Sequence, residues 1–314
     1  MSNMLSNSRI YIAGHNGLVG SALWRSLESK GYKNLFGFSS TELDLRDFAA
    51  TNDAMSQMKP DYVIMAAAKV GGINANIKHP VEFLNENIRI QTNIFEAAHT
   101  TKVSRLLFLG SSCIYPKFAE QPIKESSLLT GMLEESNSAY AIAKIAGVLQ
   151  VQSYRKQYGH RWISAMPTNL YGPHDNFDLT SSHVLPALIR KFHDAKVAGL
   201  PSVTLWGTGM PLREFLHTDD LANACMYLLE NYDDDAPINV GWGRDISISD
   251  LAELIAQIVG FEGQIQWDSL KPDGTPRKLL DTTKINSLGW GPSISLRDGI
   301  ESTYVWYEKF VNQT

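Results

Sequence analysis

The feature that most constrains the fold is a glycine-rich corner near the N-terminus. Residues 9–13 are a short, largely apolar run that stops at glycine, the pattern of a buried strand. Gly14, Gly17 and Gly20 come next at three-residue spacing, and a helical period then takes over, with Leu18, Ala22 and Leu27 on one face. A strand, a glycine turn and a helix in this order let the backbone approach a diphosphate. The free N–H groups at the helix N-terminus then meet its negative charge. A glycine triplet alone also suits an ordinary β-turn-α corner, so its meaning depends on the elements downstream of it.

Those elements alternate. Residues 35–38, 62–65, 105–109 and 162–166 read as strands, and residues 47–58, 80–100 and 137–158 as helices, with Pro80 at a helix start. Strands alternating with helices predict an α/β fold with a doubly wound parallel sheet of the Rossmann type. In such sheets ligands bind beyond the carboxyl ends of the strands. Gly14, Ala66, Ser111 and Pro167 all come directly after expected strands and should line one crevice. After about residue 170 the texture changes to loops, shorter helices (about 184–198 and 219–231) and short apolar runs at 203–207 and 213–217. The chain therefore divides into a dinucleotide-binding region over 1–170 and a smaller α/β substrate-binding region over 171–314. Between about 205 and 245 it is expected to cross back to the first sheet.

Composition excludes several classes of function. The chain has 314 residues, 44% hydrophobic and 19% charged, with a net charge of -5 and no basic block, which argues against nucleic-acid binding. No apolar run approaches the roughly 18 residues of a membrane span, and residues 1–9 lack the apolar stretch of a secretory signal. Two cysteines, Cys113 and Cys225, do not make a disulfide framework, so an intracellular, cytoplasmic chain is expected. The eight histidines form no Cys/His cluster at metal spacing, and no metal is expected.

The end of the second strand bears on the cofactor. NAD sites usually carry Asp or Glu there, on the ribose 2′-hydroxyl. This chain has Phe38, Ser39 and Ser40, with carboxylates only at Glu42 and Asp44. Two hydroxyls and no carboxylate favour NADP(H), although no arginine stands at the turn. Further on, Ser111 ends the fourth strand, and Tyr140 and Lys144 share a helix face four residues apart. A buried ammonium beside a phenol favours the phenolate, so the pair could exchange protons well below the usual tyrosine range. Alone the pair carries little, because Tyr and Lys are common surface residues. Cys225 lies among Leu221, Ala222, Leu228 and Leu229 and reads as core; Tyr304, Trp306, Tyr307 and Phe310 of the last helix read as packing.

Together the glycine corner, Tyr140-x-x-x-Lys144 and Ser111 resemble the extended short-chain dehydrogenase/reductases that act on nucleotide sugars. Residues 66–73, 109–116, 166–177, 182–188 and 271–280 narrow this: the chain resembles the GDP-L-fucose synthase family from Ile10 to about Tyr307. That resemblance implies conversion of GDP-4-keto-6-deoxy-D-mannose to GDP-L-fucose, with epimerisation at C3 and C5 and then reduction of the C4 ketone by NADPH. It also implies a homodimer, with the helices that begin at Pro80 and Asn137 as the candidate contact.

The same resemblance assigns residues. Cys113 and His183 become base and acid, one on each face of the hexose; thiol and imidazole both titrate near working pH. Ser111 and Tyr140 would steady the enolate oxygen, and Tyr140 would protonate the C4 oxygen. Lys144 would hold the nicotinamide ribose and lower the Tyr140 pKa. The dinucleotide would contact Gly14, His15, Asn16, Gly17, Leu18, Val19 and Gly20, then Ser39 and Ser40, and further along Ala67, Leu109, Gly110, Pro167, Thr168, Asn169, Leu170 and His183. The nucleotide sugar would meet Lys191, Trp206, Arg213 and Asp273. Family members often carry Arg in place of Lys191, Asn16 and Ser40. A dehydratase would want carboxylates where this chain has Ser112 and Cys113. A non-catalytic NADP-binding regulator would have no need of Cys113, Tyr140, Lys144 and His183 together.

Overall fold

The computed structural model describes residues 4–271 and 273–311. The elements in order are β1 (Ile10–Ala13), α1 (Leu18–Ser29), β2 (Leu35–Phe36), α2 (Phe48–Met58), β3 (Tyr62–Met65), α3 (Ile73–Lys78), α4 (Pro80–Thr100), β4 (Arg105–Leu109), α5 (Ser138–Tyr158), β5 (Ile163–Pro167) and β6 (Asn169–Tyr171). Then come α6 (Val184–Val197), β7 (Ser202–Trp206), β8 (Leu212–His217), α7 (Thr218–Asn231), β9 (Ile238–Val240), β10 (Asp245–Ser247), α8 (Ile248–Val259), β11 (Gln264–Asp268), β12 (Arg277–Lys278), α9 (Thr283–Ser287) and α10 (Leu296–Val311).

Six strands form one parallel sheet in the order β2-β1-β3-β4-β5-β9. Its central strands are apolar and buried on both faces, as a sheet covered by helices on both sides requires. On one face Leu23 and Leu27 of α1 meet Leu221, Cys225 and Leu228 of α7. On the other, Met55 of α2, Ile94 and Phe95 of α4 and Val148 and Val151 of α5 close over the sheet. Each fully buried Leu, Ile or Phe stabilises by roughly 1.5–3 kcal/mol. Cys225 is fully buried in the first of these layers, as its apolar neighbours in sequence predict.

The second strand is shorter than its sequence pattern predicts. β2 is an edge strand paired only with β1, and the His15 ring sits where a side chain on Gly37 would extend. The chain then turns at Ser39, whose N–H and hydroxyl both donate to Glu42 Oε2 at 2.7 Å. Within residues 271–280, Arg277 and Lys278 pair with Leu212 and Arg213 of β8.

A third apolar cluster lies away from the parallel sheet. Leu185, Ile189 and Phe192 of α6 pack with Leu251 and Ile255 of α8 and with Ile300, Tyr304 and Tyr307 of α10. Between this cluster and the parallel sheet runs β8, which pairs with β6, β10 and β12. Its Glu214 is fully buried and accepts from Gly243 N at 2.7 Å and from Leu280 N at 3.0 Å. The Glu214 carbonyl accepts from Asn169 Nδ2 at 2.8 Å. One carboxylate thus fastens the end of β12 to the middle of the molecule. Replacing it strands buried N–H groups, each costing about 1–3 kcal/mol. Glu214→Ala is expected to lower the unfolding free energy in urea by about 2–4 kcal/mol; an unchanged midpoint would show that Glu214 does not hold these segments.

Candidate active site

The sheet register aligns the carboxyl ends of its strands. Ala13 pairs with Met65, Leu109 with Ala165, and Pro167 with Val240, so Gly14, Ala66, Gly110 and Thr168 emerge along one edge. Strand order reverses between β1 and β3, where open α/β sheets form their binding crevice. Gly14 has φ +82°, and a Cβ there would stand 2.8 Å from the Ala67 backbone. A Cβ on Gly20 would stand 2.0 Å from Gly14 O. Both glycines are therefore demanded by close backbone approach. The N-terminus of α1 has no side-chain cap and no acidic residue in its first turn, so its N–H groups and dipole face outward. His15 lies against Trp24 with ring centroids 5.4 Å apart, and its buried Nδ1 has no partner. These residues fit the diphosphate of a dinucleotide. Ser39 does not fit as a free donor to a 2′-phosphate, because its hydroxyl is committed to Glu42; Ser40 is exposed beside it.

From β4 the chain passes through Gly110 to Ser111, which opens a short 3₁₀ turn, Ser112–Ile114. Ser111 Oγ accepts from Cys113 N at 3.2 Å, and this fixes the turn that presents the thiol. Two donors converge on Cys113 Sγ at 3.4 Å each, Asn137 Nδ2 and Lys278 Nζ. Asn137 occupies the cap position of α5 yet caps nothing, since its amide is turned to the sulfur. Tyr140 lies in the first turn of α5 with its ring edge-on to Phe83 of α4, centroids 6.3 Å apart. Lys144 is buried, donates to Leu109 O at 2.8 Å, and its Nζ lies 5.8 Å from the centre of the Tyr140 ring.

Electrostatics separate these groups. Burial pushes the Cys113 thiol up, but the Lys278 charge and the hydrogen bonds from Ser111, Lys278 and Asn137 together hold it below its ordinary value. Burial and the neighbouring Cys113 push the Tyr140 phenol above its ordinary value, against a smaller pull from Ser111. Burial brings Lys144 down to about 8. The expected phenolate is therefore not the resting form. Lys144 gives its proton to a carbonyl hydrogen bond and not to the phenol oxygen, so desolvation wins and Tyr140 stays a neutral proton donor.

His183 stands at the N-terminal end of α6, and its side chain makes no cap hydrogen bond. The residue is exposed as a whole, but desolvation of its ring and the charge of Lys278 both push its pKa down. One cation thus acts on both Cys113 and His183. The loop before α3 holds the histidine's neighbours: Gly72 N donates to Ser181 O at 2.9 Å, and a Cβ on Gly72 would stand 2.7 Å from Ser182 O. Asn87 of α4 clamps that loop, accepting from Lys69 N at 2.8 Å and donating to Lys69 O at 3.0 Å.

The expected sugar-nucleotide residues also gather. Lys191 Nζ lies 5.9 Å and Lys271 Nζ 5.5 Å from the Trp206 ring centre. Asp273 accepts from Thr208 N at 2.7 Å and from Thr208 Oγ1 at 2.8 Å, and its charge acts on Arg213. Two cations and an exposed indole face suit an anion attached to a flat ring system. His174 and His217 stand apart from this chemistry: His174 lies against Trp306, and His217 caps α7 through Asp219 N.

Sequence reasoning does not single out Lys278 or Asn137. The spacing of Lys278 from Cys113 is 165 residues, and its role depends on a strand pairing that no local pattern announces. The thiol offers a direct check. Its alkylation rate by iodoacetamide against pH is expected to give a midpoint below the ordinary thiol range of about 8.5. Lys278→Met removes the positive charge and should move that midpoint upward; an unmoved midpoint would deny the cation its effect.

Comparison with known proteins agrees with this geometry. The NAD dependent epimerase/dehydratase family matches residues 10–241. GDP-L-fucose synthase 1 of Arabidopsis thaliana is 57% identical over 97% of this chain and 94% of its own length. GDP-L-fucose synthase of Escherichia coli K12 is 51% identical over 96% of this chain and 97% of its own. The crystal structure of a GDP-L-fucose synthetase from Naegleria fowleri bound to NADP superposes with a TM-score of 0.93 at 28% identity, covering 100% of this chain and 98% of that one. The chain belongs to the NAD dependent epimerase/dehydratase family and, within it, to the GDP-L-fucose synthases.

Proposed function

We propose that this chain converts GDP-4-keto-6-deoxy-D-mannose to GDP-L-fucose with NADPH, by epimerisation at C3 and C5 and then reduction at C4. The observation that carries the reading is the thiol of Cys113, held by Lys278 and Asn137 at 3.4 Å beside the Ser111/Tyr140/Lys144 group. A simple ketone reductase needs the second set but has no use for an activated thiol.

The C4 ketone acidifies the C–H bonds at both neighbouring carbons. Cys113, poised below its ordinary pKa, takes a proton from one face, and His183 returns one from the other. Ser111 and Tyr140 donate to the enolate oxygen where charge develops. NADPH, held at the glycine corner and along Ala67, Leu109, Gly110 and Pro167 to Leu170, supplies the hydride for C4. Tyr140, kept neutral by burial, protonates the resulting C4 oxygen. Lys144 binds the nicotinamide ribose. Lys191, Arg213 and Lys271 neutralise the GDP diphosphate, with Trp206 and Asp273 orienting the rest.

The division into a dinucleotide-binding region over 1–170 and a substrate-binding region beyond it belongs to this reading. So does a cytoplasmic location, which the free thiols of Cys113 and Cys225 suit. We also place a homodimer contact on α4 and α5, which leave Val81, Ile142 and Leu149 exposed. Leu149→Asp is expected to shift the protein from twice the chain mass to the chain mass in size-exclusion with light scattering; a wild-type chain already monomeric would remove the dimer.

Mixing the protein with GDP-4-keto-6-deoxy-mannose and NADPH should lower absorbance near 340 nm, and no oxidation of NADPH would defeat the proposal. Tyr140→Phe is expected to slow reduction by about 10²–10⁴-fold, the usual scale of a lost proton donor. Cys113→Ser should abolish solvent-deuterium wash-in at C3 and C5 while cofactor binding, read by fluorescence, stays intact.

A further inference from the structure

Inverting two carbons sets a proton balance that the crevice alone does not meet. At each centre the C–H bond breaks, its proton goes to the Cys113 sulfur, and the electron pair becomes the enolate. The enolate then forms a new C–H bond with a proton from the His183 imidazolium on the other face. One inversion leaves a thiol and a neutral imidazole. Before the second, the thiol must release a proton and the imidazole must gain one; His183 is exposed and takes its proton from solvent. The hexose lies between these groups at that moment, so the sulfur needs an exit on its other side.

The structure has such a space. A cavity of about 60 Å³ is lined by Cys113, Asn137 and Lys278 and also by Glu134, Thr275 and Lys117, and its lining includes none of Ser111, Tyr140 and His183. It therefore meets Cys113 from a side that the reductase group does not line. It has room for several water molecules, each needing about 10–15 Å³, and its walls offer the polar partners that buried water requires. In its wall Glu134 Oε2 pairs with Lys117 Nζ at 3.0 Å and accepts from Thr275 Oγ1 at 3.3 Å. Both Glu134 and Lys117 are about a quarter to a third exposed, so the carboxylate touches cavity and solvent together.

We propose that this cavity is the proton exit of the epimerisation, in which water carries the Cys113 proton to the Glu134 carboxylate and so to bulk solvent. Glu134 acts here through water and touches no substrate, and its anchoring by Lys117 and Thr275 keeps it at the cavity mouth. The inference rests on the function proposed above. It assigns a task to residues that neither hydride transfer nor sugar binding uses.

The experiment measures solvent-deuterium exchange at C3 and C5 of the 4-keto hexose by mass spectrometry, with NADP+ present and no reduced cofactor. The wild-type chain, Glu134→Gln and Glu134→Asp are compared with and without added imidazole buffer. In Glu134→Gln the thiol proton returns to the carbon it left, so exchange should fall by about tenfold or more. Glu134→Asp and added imidazole should each restore most of it, which a merely structural loss would not permit. Exchange at the wild-type rate in Glu134→Gln, or a loss that neither aspartate nor buffer restores, would overturn the proton exit while leaving the function standing. A wild-type chain that exchanges neither proton would overturn the underlying function instead.

Discussion

The contact between Lys278 Nζ and Cys113 Sγ is the interaction on which the rest of the site depends. A thiol buried at a strand end is normally inert, because desolvation favours its neutral form. Cys225 shows this in the same molecule: burial raises it to about 12, and no cation opposes the effect. Cys113 is half-buried and also desolvated, yet it shifts the other way. The difference is a cation brought from the far end of the chain, supported by the amide of Asn137 and the hydroxyl of Ser111.

Holding that cation requires much of the architecture. β12 is only two residues long and would not stay placed on its own ladder. It is held by pairing with β8, by the Arg277–Asp245 ion pair, and by Leu280 N on the buried Glu214 carboxylate. Ile123, nearby in sequence to Cys113, bridges to Leu280, so the two ends of the contact are tied to each other. The same lysine acts on His183, whose own loop is held by Gly72. Charge and backbone thus act together on a thiol, an imidazole and a neutral phenol. Tyr140 is kept protonated by the same burial that makes the lysine beside it give up its proton more readily.

The parallel sheet is legible in the sequence because its signals are local. Apolar runs stopped by glycine, and helices opened by Pro80 or Asp47, can be read within a dozen residues. The glycine corner is legible for the same reason, and the structure explains its spacing through the approach of Gly20 to Gly14 and of Gly14 to Ala67. Cys113, Tyr140 and His183 are legible chiefly through resemblance, since nothing near Cys113 in sequence distinguishes it from core. Lys278 and Asn137 are not legible, because their meaning is a distance in space. The effect of Lys144 on Tyr140 escapes sequence reasoning for a related cause. Helical spacing puts two residues on one face, but only the structure shows that the ammonium is bound to the Leu109 carbonyl.

If one site performs two proton exchanges at carbon before a ketone is reduced, the product itself must record them. The decisive measurement runs the full reaction in deuterium oxide with unlabelled NADPH and analyses the isolated GDP-sugar by mass spectrometry and NMR. The product is expected to carry deuterium at both C3 and C5 and none at C4. A reduced product with no deuterium at C3 or C5 would contradict this chemistry, and would leave a reductase in which the Cys113 thiol has no part.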